Sequence, residues 1–173
     1  MAGIISKFWE WYERHLTLNI AIASILFSWQ IVHLVWLFSD VIVPRLFGIS
    51  LWHLSGFHEK VIVVVDYIEI PALISTGLIY VNQLRKKYDT KSLIFLLMLA
   101  SQFFHIFWIT DEFVISTFTG EGEFVNLPPT LAWVAILIDY LEVPVMIETF
   151  RKLYQATVKK DVKEAAEAFE EKL

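Results

Sequence analysis

Residues 61–81 read VIVVVDYIEIPALISTGLIYV, an apolar run that carries two carboxylates, Asp66 and Glu69, and no Lys or Arg. About 20 apolar residues cross a hydrocarbon core as a helix, so the length of this run predicts a membrane span. The two acids then need an explanation, because an ionised side chain at the centre of a span costs about 2.5–3.5 kcal/mol on insertion scales. The signature DYxExP returns 73 positions later, where Asp139, Tyr140, Glu142 and Pro144 match Asp66, Tyr67, Glu69 and Pro71.

Upstream of each copy lies a second shared pattern, QxxHxxW, formed by Gln30, His33 and Trp36 and again by Gln102, His105 and Trp108, at an offset of 72. Asp40 and Gly48 match Glu112 and Gly120 at the same offset. Apolar positions have drifted between the halves, as in Val32 against Phe104 and Ala72 against Val145, whereas the polar ones have not. The chain therefore reads as a tandem repeat of a two-helix unit. With two spans per unit, both copies enter the membrane from the same side, and their pseudo-twofold axis lies along the membrane normal.

Composition agrees. Hydrophobic residues make up 57% of the 173 positions, above the roughly 45–50% of soluble domains, and the mean hydropathy is +0.57. Seven Trp suit membrane–water interfaces. The net charge of −5 offers no footprint for nucleic acid. The absence of cysteine excludes disulfides, thiolate metal sites, iron–sulfur clusters and c-type haem.

The expected fold is an all-α integral membrane four-transmembrane-helix bundle in the lipid bilayer. Residues 1–16 mix apolar, aromatic and charged side chains and read as an interfacial amphipathic helix rather than a signal peptide. Repeat 1 covers 17–88, with spans at about 18–38 and 61–81. Repeat 2 covers 89–157, with spans at about 92–110 and 131–150. Residues 158–173 form a charged cytoplasmic helical tail. Arg85, Lys86, Lys87 and Lys91 follow the second span, and Arg151, Lys152, Lys159 and Lys160 follow the fourth. Lys7 and Arg14 precede the first, while the other two connections hold only Arg45 and Lys60. Positive residues stay inside, which puts both termini in the cytoplasm. Trp36, Trp52, Trp108 and Trp133 then fall near the outer interface, and Trp9 and Trp11 near the inner one.

Residues three apart share a helix face, so Asp66 pairs with Glu69, Asp139 with Glu142, Gln30 with His33 and Gln102 with His105. Counting the rise along each span puts the acids and histidines at similar depth in the outer half of the bundle. Four carboxylates and two imidazoles, with no basic residue in any span, form a donor set that two divalent cations would neutralise. The predicted metal ligands are His33, Asp66, Glu69, His105, Asp139 and Glu142, and the mixture suits Fe, Mn or Zn better than Cu(I). In stoichiometry the set resembles the ferritin-like di-iron and di-manganese bundles, although here the histidines stand on different helices from the acids and no ExxH occurs. Gln30 and Gln102 are expected to orient the histidines or bridge helices. Tyr67 and Tyr140 are expected to donate beside the ligands or to pack against a neighbouring helix. Asp40 and Glu112, one heptad beyond their histidines, are candidates for an outer vestibule that draws cations. Pro71 and Pro144 withhold the N–H that would meet the Tyr67 and Tyr140 carbonyls, which predicts kinks.

Three functions fit these features. The leading one is a metalloprotein with a dinuclear or a mononuclear site of two histidines and four carboxylates, acting as an oxidoreductase or a hydrolase on a lipid-soluble substrate. The alternative is a divalent-cation or proton transporter, against which the spans are largely apolar from Leu18 to Phe27 and from Leu93 to Ala100. The third is a structural or assembly subunit, open to homo-oligomerisation, in which protonated acids bond helices together. A b-type haem on His33 and His105 belongs with this last group.

Overall fold

The computed structural model describes residues 2–49, 51, 57–110 and 129–170, and among them there is no strand. Helix α1 spans Ala2–Arg14 and α2 spans Leu16–Trp36, which continues through a π-helical stretch, Leu37–Ile42, into α3, Val43–Phe47. Then follow α4 (Phe57–Lys86), α5 (Thr90–Ile109), α6 (Pro129–Tyr140) and α7 (Glu142–Glu170). Three runs, Leu16–Phe47, Lys60–Lys86 and Thr90–Phe107, are long and apolar enough to cross a membrane.

The motifs' polar side chains are buried, while large apolar side chains cover much of the outside. Gln30, His33, Asp66, Glu69, Gln102, His105, Asp139 and Glu142 are at most 5% exposed, whereas Ile25, Val64, Leu97, Phe104, Leu137 and Ile147 are 60–78% exposed. In water those apolar faces would drive aggregation. In lipid they are solvated, and it is the ionisable groups that must turn toward the interior.

The first apolar run is longer than the 18–38 expected from its composition. Asp40 and Pro44 look like the end of a span, since a proline ring collides with the carbonyl four residues back, here that of Asp40. The widened π turn at Leu37–Ile42 opens the backbone at that point and the helix continues to Phe47. Gly48, at φ 69°, ends it in the left-handed conformation, with its N–H on the Pro44 carbonyl at 2.9 Å.

The two DYxExP prolines behave differently. Helix α4 passes through Pro71 without interruption. In the second copy the helix breaks at Leu141, three residues before Pro144, where the Leu141 N–H tightens onto the Ile138 carbonyl at 2.9 Å. The column over 131–150 is thus two helices in succession. Helix α6 rises only about 18 Å by itself.

Helix α2 packs on α4 and α7, and α5 packs on α4, α6 and α7, closing a ring of columns around the polar cluster. Beside the cluster an apolar layer seals the interior, formed by Phe27, Leu73, Leu99, Val145 and Met146. Helix α5 starts from Asp89, whose carboxylate accepts from the backbone N–H of Ser92 at 2.9 Å. Helix α1 is docked by Tyr12, 3% exposed against Ile20, Ala23 and Ile79. The Arg85 guanidinium covers the Trp9 ring at 4.1 Å, and Glu13 pairs with Lys86 at 3.2 Å.

Candidate metal centre

Four columns deliver the polar side chains to one place. Helix α2 presents Gln30 and His33, α4 presents Asp66 and Glu69, and α5 presents Gln102 and His105. Asp139 lies in the last turn of α6 and Glu142 opens α7, on either side of the Leu141 break.

The two glutamines do the same job. Gln30 Nε2 donates to the Val65 carbonyl at 3.0 Å and Gln102 Nε2 to the Ile138 carbonyl at 2.6 Å. Each carbonyl belongs to the residue just before the aspartate of its own half. The amide therefore pins one helix to the next and brings the histidine, one turn on, level with the aspartate.

The histidines do not do the same job. His33 Nδ1 meets Asp66 Oδ1 at 2.5 Å, which leaves Nε2 as the ring nitrogen turned away from Asp66. That nitrogen faces Asp139 Oδ2 at 3.7 Å. A carboxylate behind one ring nitrogen with the other free is the arrangement that orients and polarises a metal-bound histidine. His105 Nε2 approaches Asp139 Oδ1 at 2.7 Å, but the pair is not aligned as a hydrogen bond. Asp139 thus stands between two imidazoles.

The ligand-capable atoms of His33, His105 and Asp139 lie within 4.8 Å of one another, all buried, and can hold a metal ion. Bonds of about 2.0–2.2 Å in a tetrahedral arrangement put ligand atoms about 3.4 Å apart, so the side chains would draw closer around an ion. Among the described residues, Gln30 Oε1, His33 Nε2, Asp66 Oδ2, Glu69 Oε1, Gln102 Oε1, His105 Nδ1, Asp139 Oδ2 and Glu142 Oε2 are buried without a hydrogen-bond partner. Buried polar atoms are normally satisfied. Nearly all of these can act as acceptors, and among the described residues no lysine or arginine pairs with them. A bound cation fits that imbalance.

Glu69 and Glu142 are 2% and 1% exposed and interact electrostatically with each other and with His33, but neither is hydrogen-bonded to the trio. Tyr67 and Tyr140 reach away from it. Tyr67 Oη meets Thr110 Oγ1 at 3.0 Å, and Tyr140 Oη donates to the Leu34 carbonyl at 3.5 Å. Each tyrosine thus joins its helix to the first helix of the other half. A crevice of about 10 Å³, lined by Asp66, Tyr67, Glu69, Ile106 and Thr110, lies between α4 and α5. Asp40 sits half-buried in the π stretch. Glu112, Gly120 and Trp52 lie outside the described residues, as does the side chain of Trp108.

Two further residues escape the motif reading. Thr76 and Thr149 are 0% and 1% exposed, each seven positions after its glutamate. The 73-residue offset that pairs Glu69 with Glu142 pairs these threonines too, so extending that comparison past the prolines finds them.

No protein-family model matches this chain, nor does any curated protein or solved structure.

Proposed function

We propose that this chain is an integral membrane metalloprotein whose metal sits between His33, His105 and Asp139. The carrying observation is the convergence of two imidazoles on one carboxylate, ringed by buried acceptors that no donor meets. His33 Nε2, His105 and both oxygens of Asp139 are the inner ligands in this reading. Glu69 and Glu142 complete the charge balance and supply a second position, so that the centre is dinuclear when full. Asp66 holds His33 from behind, and Gln30 and Gln102 set the helix register. The outer partners Asp40 and Glu112 would collect cations at the mouth. Residues 131–150 would form a fourth crossing, the two halves a tandem repeat, and both termini would lie in the cytoplasm, as the basic residues favour.

The donor set suits Fe, Mn or Zn. Bound iron or manganese would supply redox chemistry, and zinc would supply a polarised water for hydrolysis. A lipid-soluble substrate is the reading that fits helices whose outer faces are apolar. The apolar layer of Phe27, Leu73, Leu99 and Met146 speaks against a through-going ion path.

Elemental analysis by mass spectrometry on detergent-purified, untagged protein tests this reading. About one or two equivalents of Fe, Mn or Zn per chain are expected. Absence of metal after reconstitution with each ion would overturn it and leave protonated acids bonding helices together. Iron with a Soret band would move the histidines to a haem.

A further inference from the structure

At the opposite end of the columns from the aspartates, the end of α4, the start of α5 and the first half of α7 line an open cavity of about 370 Å³. Its floor is aromatic: Tyr80 and Phe95 are buried, with ring centroids 5.4 Å apart. Its rim carries four ammonium groups, from Lys86, Lys87, Lys91 and Lys152, against two carboxylates, Asp89 and Glu148.

The carboxylates are already engaged. Asp89 caps α5 and accepts from Ser92 Oγ at 2.7 Å. Glu148 accepts from Lys91 Nζ at 2.8 Å, with Arg151 at 3.9 Å. Lys86 is paired with Glu13. That leaves Lys87 and Lys152 with no carboxylate within ion-pair reach among the described residues. Lys152 Nζ donates to Gln83 Oε1 at 2.9 Å and lies 4.1 Å from the centre of the Tyr80 ring. Its ammonium is held against apolar surface, and burial pushes it down to about 8.

An aromatic floor beneath an excess of ammonium groups matches an amphiphile with an anionic head. We propose that this cavity binds the phosphate of an acidic phospholipid headgroup, with Lys152 and Lys87 as its charged contacts and the first carbons of the lipid against Tyr80 and Phe95. Free phosphate shares the head chemistry. The lipid source is favoured by the neighbouring surface, where Ile94 and Leu97 are exposed on α5 and Tyr88 and Tyr154 stand exposed nearby. Aromatic side chains at that level are typical of the headgroup zone, and basic pockets between helix ends are a recurrent mode of acidic-lipid binding.

The test is native mass spectrometry and thermal unfolding of the full chain in detergent. Phosphatidylglycerol, phosphatidylcholine and inorganic phosphate are added in turn. Phosphatidylglycerol is expected to remain bound and raise the unfolding temperature, and phosphatidylcholine is not. Lys152→Gln with Lys87→Gln should weaken phosphatidylglycerol binding about tenfold or more, in line with the loss of charge-assisted hydrogen bonds to phosphate. Lys152→Arg should retain it. Lys60→Gln, which removes one ammonium group at the far end of α4, should leave it intact. Equal retention of the two lipids, or equal loss in Lys60→Gln and in the double variant, overturns the site. Stabilisation by inorganic phosphate as large as that by phosphatidylglycerol overturns the lipid assignment and leaves a site for soluble phosphates.

Discussion

His105 Nε2 stands 2.7 Å from Asp139 Oδ1 without the alignment of a hydrogen bond. An imidazole nitrogen and a carboxylate oxygen held that close are placed to share a positive partner, a proton or a metal ion. Replacing Asp139 by Asn removes the charge and one acceptor while keeping the shape. Metal per chain is expected to fall below a tenth of the parent value in Asp139→Asn, measured by elemental mass spectrometry after equilibration with the cognate ion. Full metal content in this variant would remove Asp139 from the ligand set.

Asp66 contacts His33 from the side away from Asp139, so its substitution has a graded effect. Asp66→Asn should retain metal but bind it about 10–100-fold more weakly, the range for partners that orient a ligating histidine. Competition with a calibrated chelator measures the difference. An effect as severe as that of Asp139→Asn would make Asp66 a direct ligand.

Gln30 and Gln102 each bridge neighbouring helices through one amide-to-carbonyl bond. Hydrogen bonds between helices inside a membrane average about 0.6 kcal/mol, with a maximum near 1.7. Gln30→Leu and Gln102→Leu are each expected to destabilise within that range in detergent unfolding titrations. Losses of several kcal/mol would show that the amides hold more than one bond.

Tyr12 fixes α1 to the bundle, yet its hydroxyl is buried without a hydrogen-bond partner, and burial pushes its phenol up to about 12. An unsatisfied buried hydroxyl costs about 1–3 kcal/mol. Tyr12→Phe should therefore stabilise the protein, by about 1 kcal/mol after allowance for partial solvation. A lower unfolding temperature in this variant would point to a water or lipid partner for the hydroxyl.

Lys152 gives the protein a dependence on alkaline pH. Burial lowers its ammonium from 10.5 to about 8, with Lys91 adding to the depression and Glu148 and Asp89 opposing it. Between those values the unfolded chain keeps a proton that the folded chain has released, so stability rises with pH across that window. Lys152→Gln should flatten this rise between about pH 8 and pH 10. Thermal unfolding of parent and variant at the two ends of the window makes the comparison.

The helices and the polar signatures can be read from the residues alone, because span length and intramembrane acids are strong signals. What escapes such a reading comes from backbone geometry and from inequality between the halves. Pro44 suggests an end to the first span, but a π turn carries the helix past it. Pro71 and Pro144 look equivalent in sequence, yet only the second comes with a break. The repeated motifs predict six ligands of equal standing. Of these the structure brings His33, His105 and Asp139 within reach of one ion, with Asp66 against one imidazole and Glu69 and Glu142 not hydrogen-bonded to the trio. A motif lists donor types and cannot say which nitrogen of a histidine is already committed. Thr76 and Thr149 stay hidden because a buried threonine in a helix gives no signal of its own.

The break at Leu141 beside an intact α4 bears on how such a cage could arise. Two separate copies of a two-helix unit, joined by rotational symmetry, would share every substitution, and each bend would appear twice. In the tandem-repeat reading, one polypeptide carrying both units lifts that restriction, because a change at Leu141 leaves Ile68 untouched. Helix α4 is continuous through Pro71, whereas Asp139 and Glu142 sit on either side of the interruption at Leu141. If the proposed metal site is filled, such unequal corners would distinguish its occupants by position as well as by charge, which a symmetric dimer achieves only by distorting one partner.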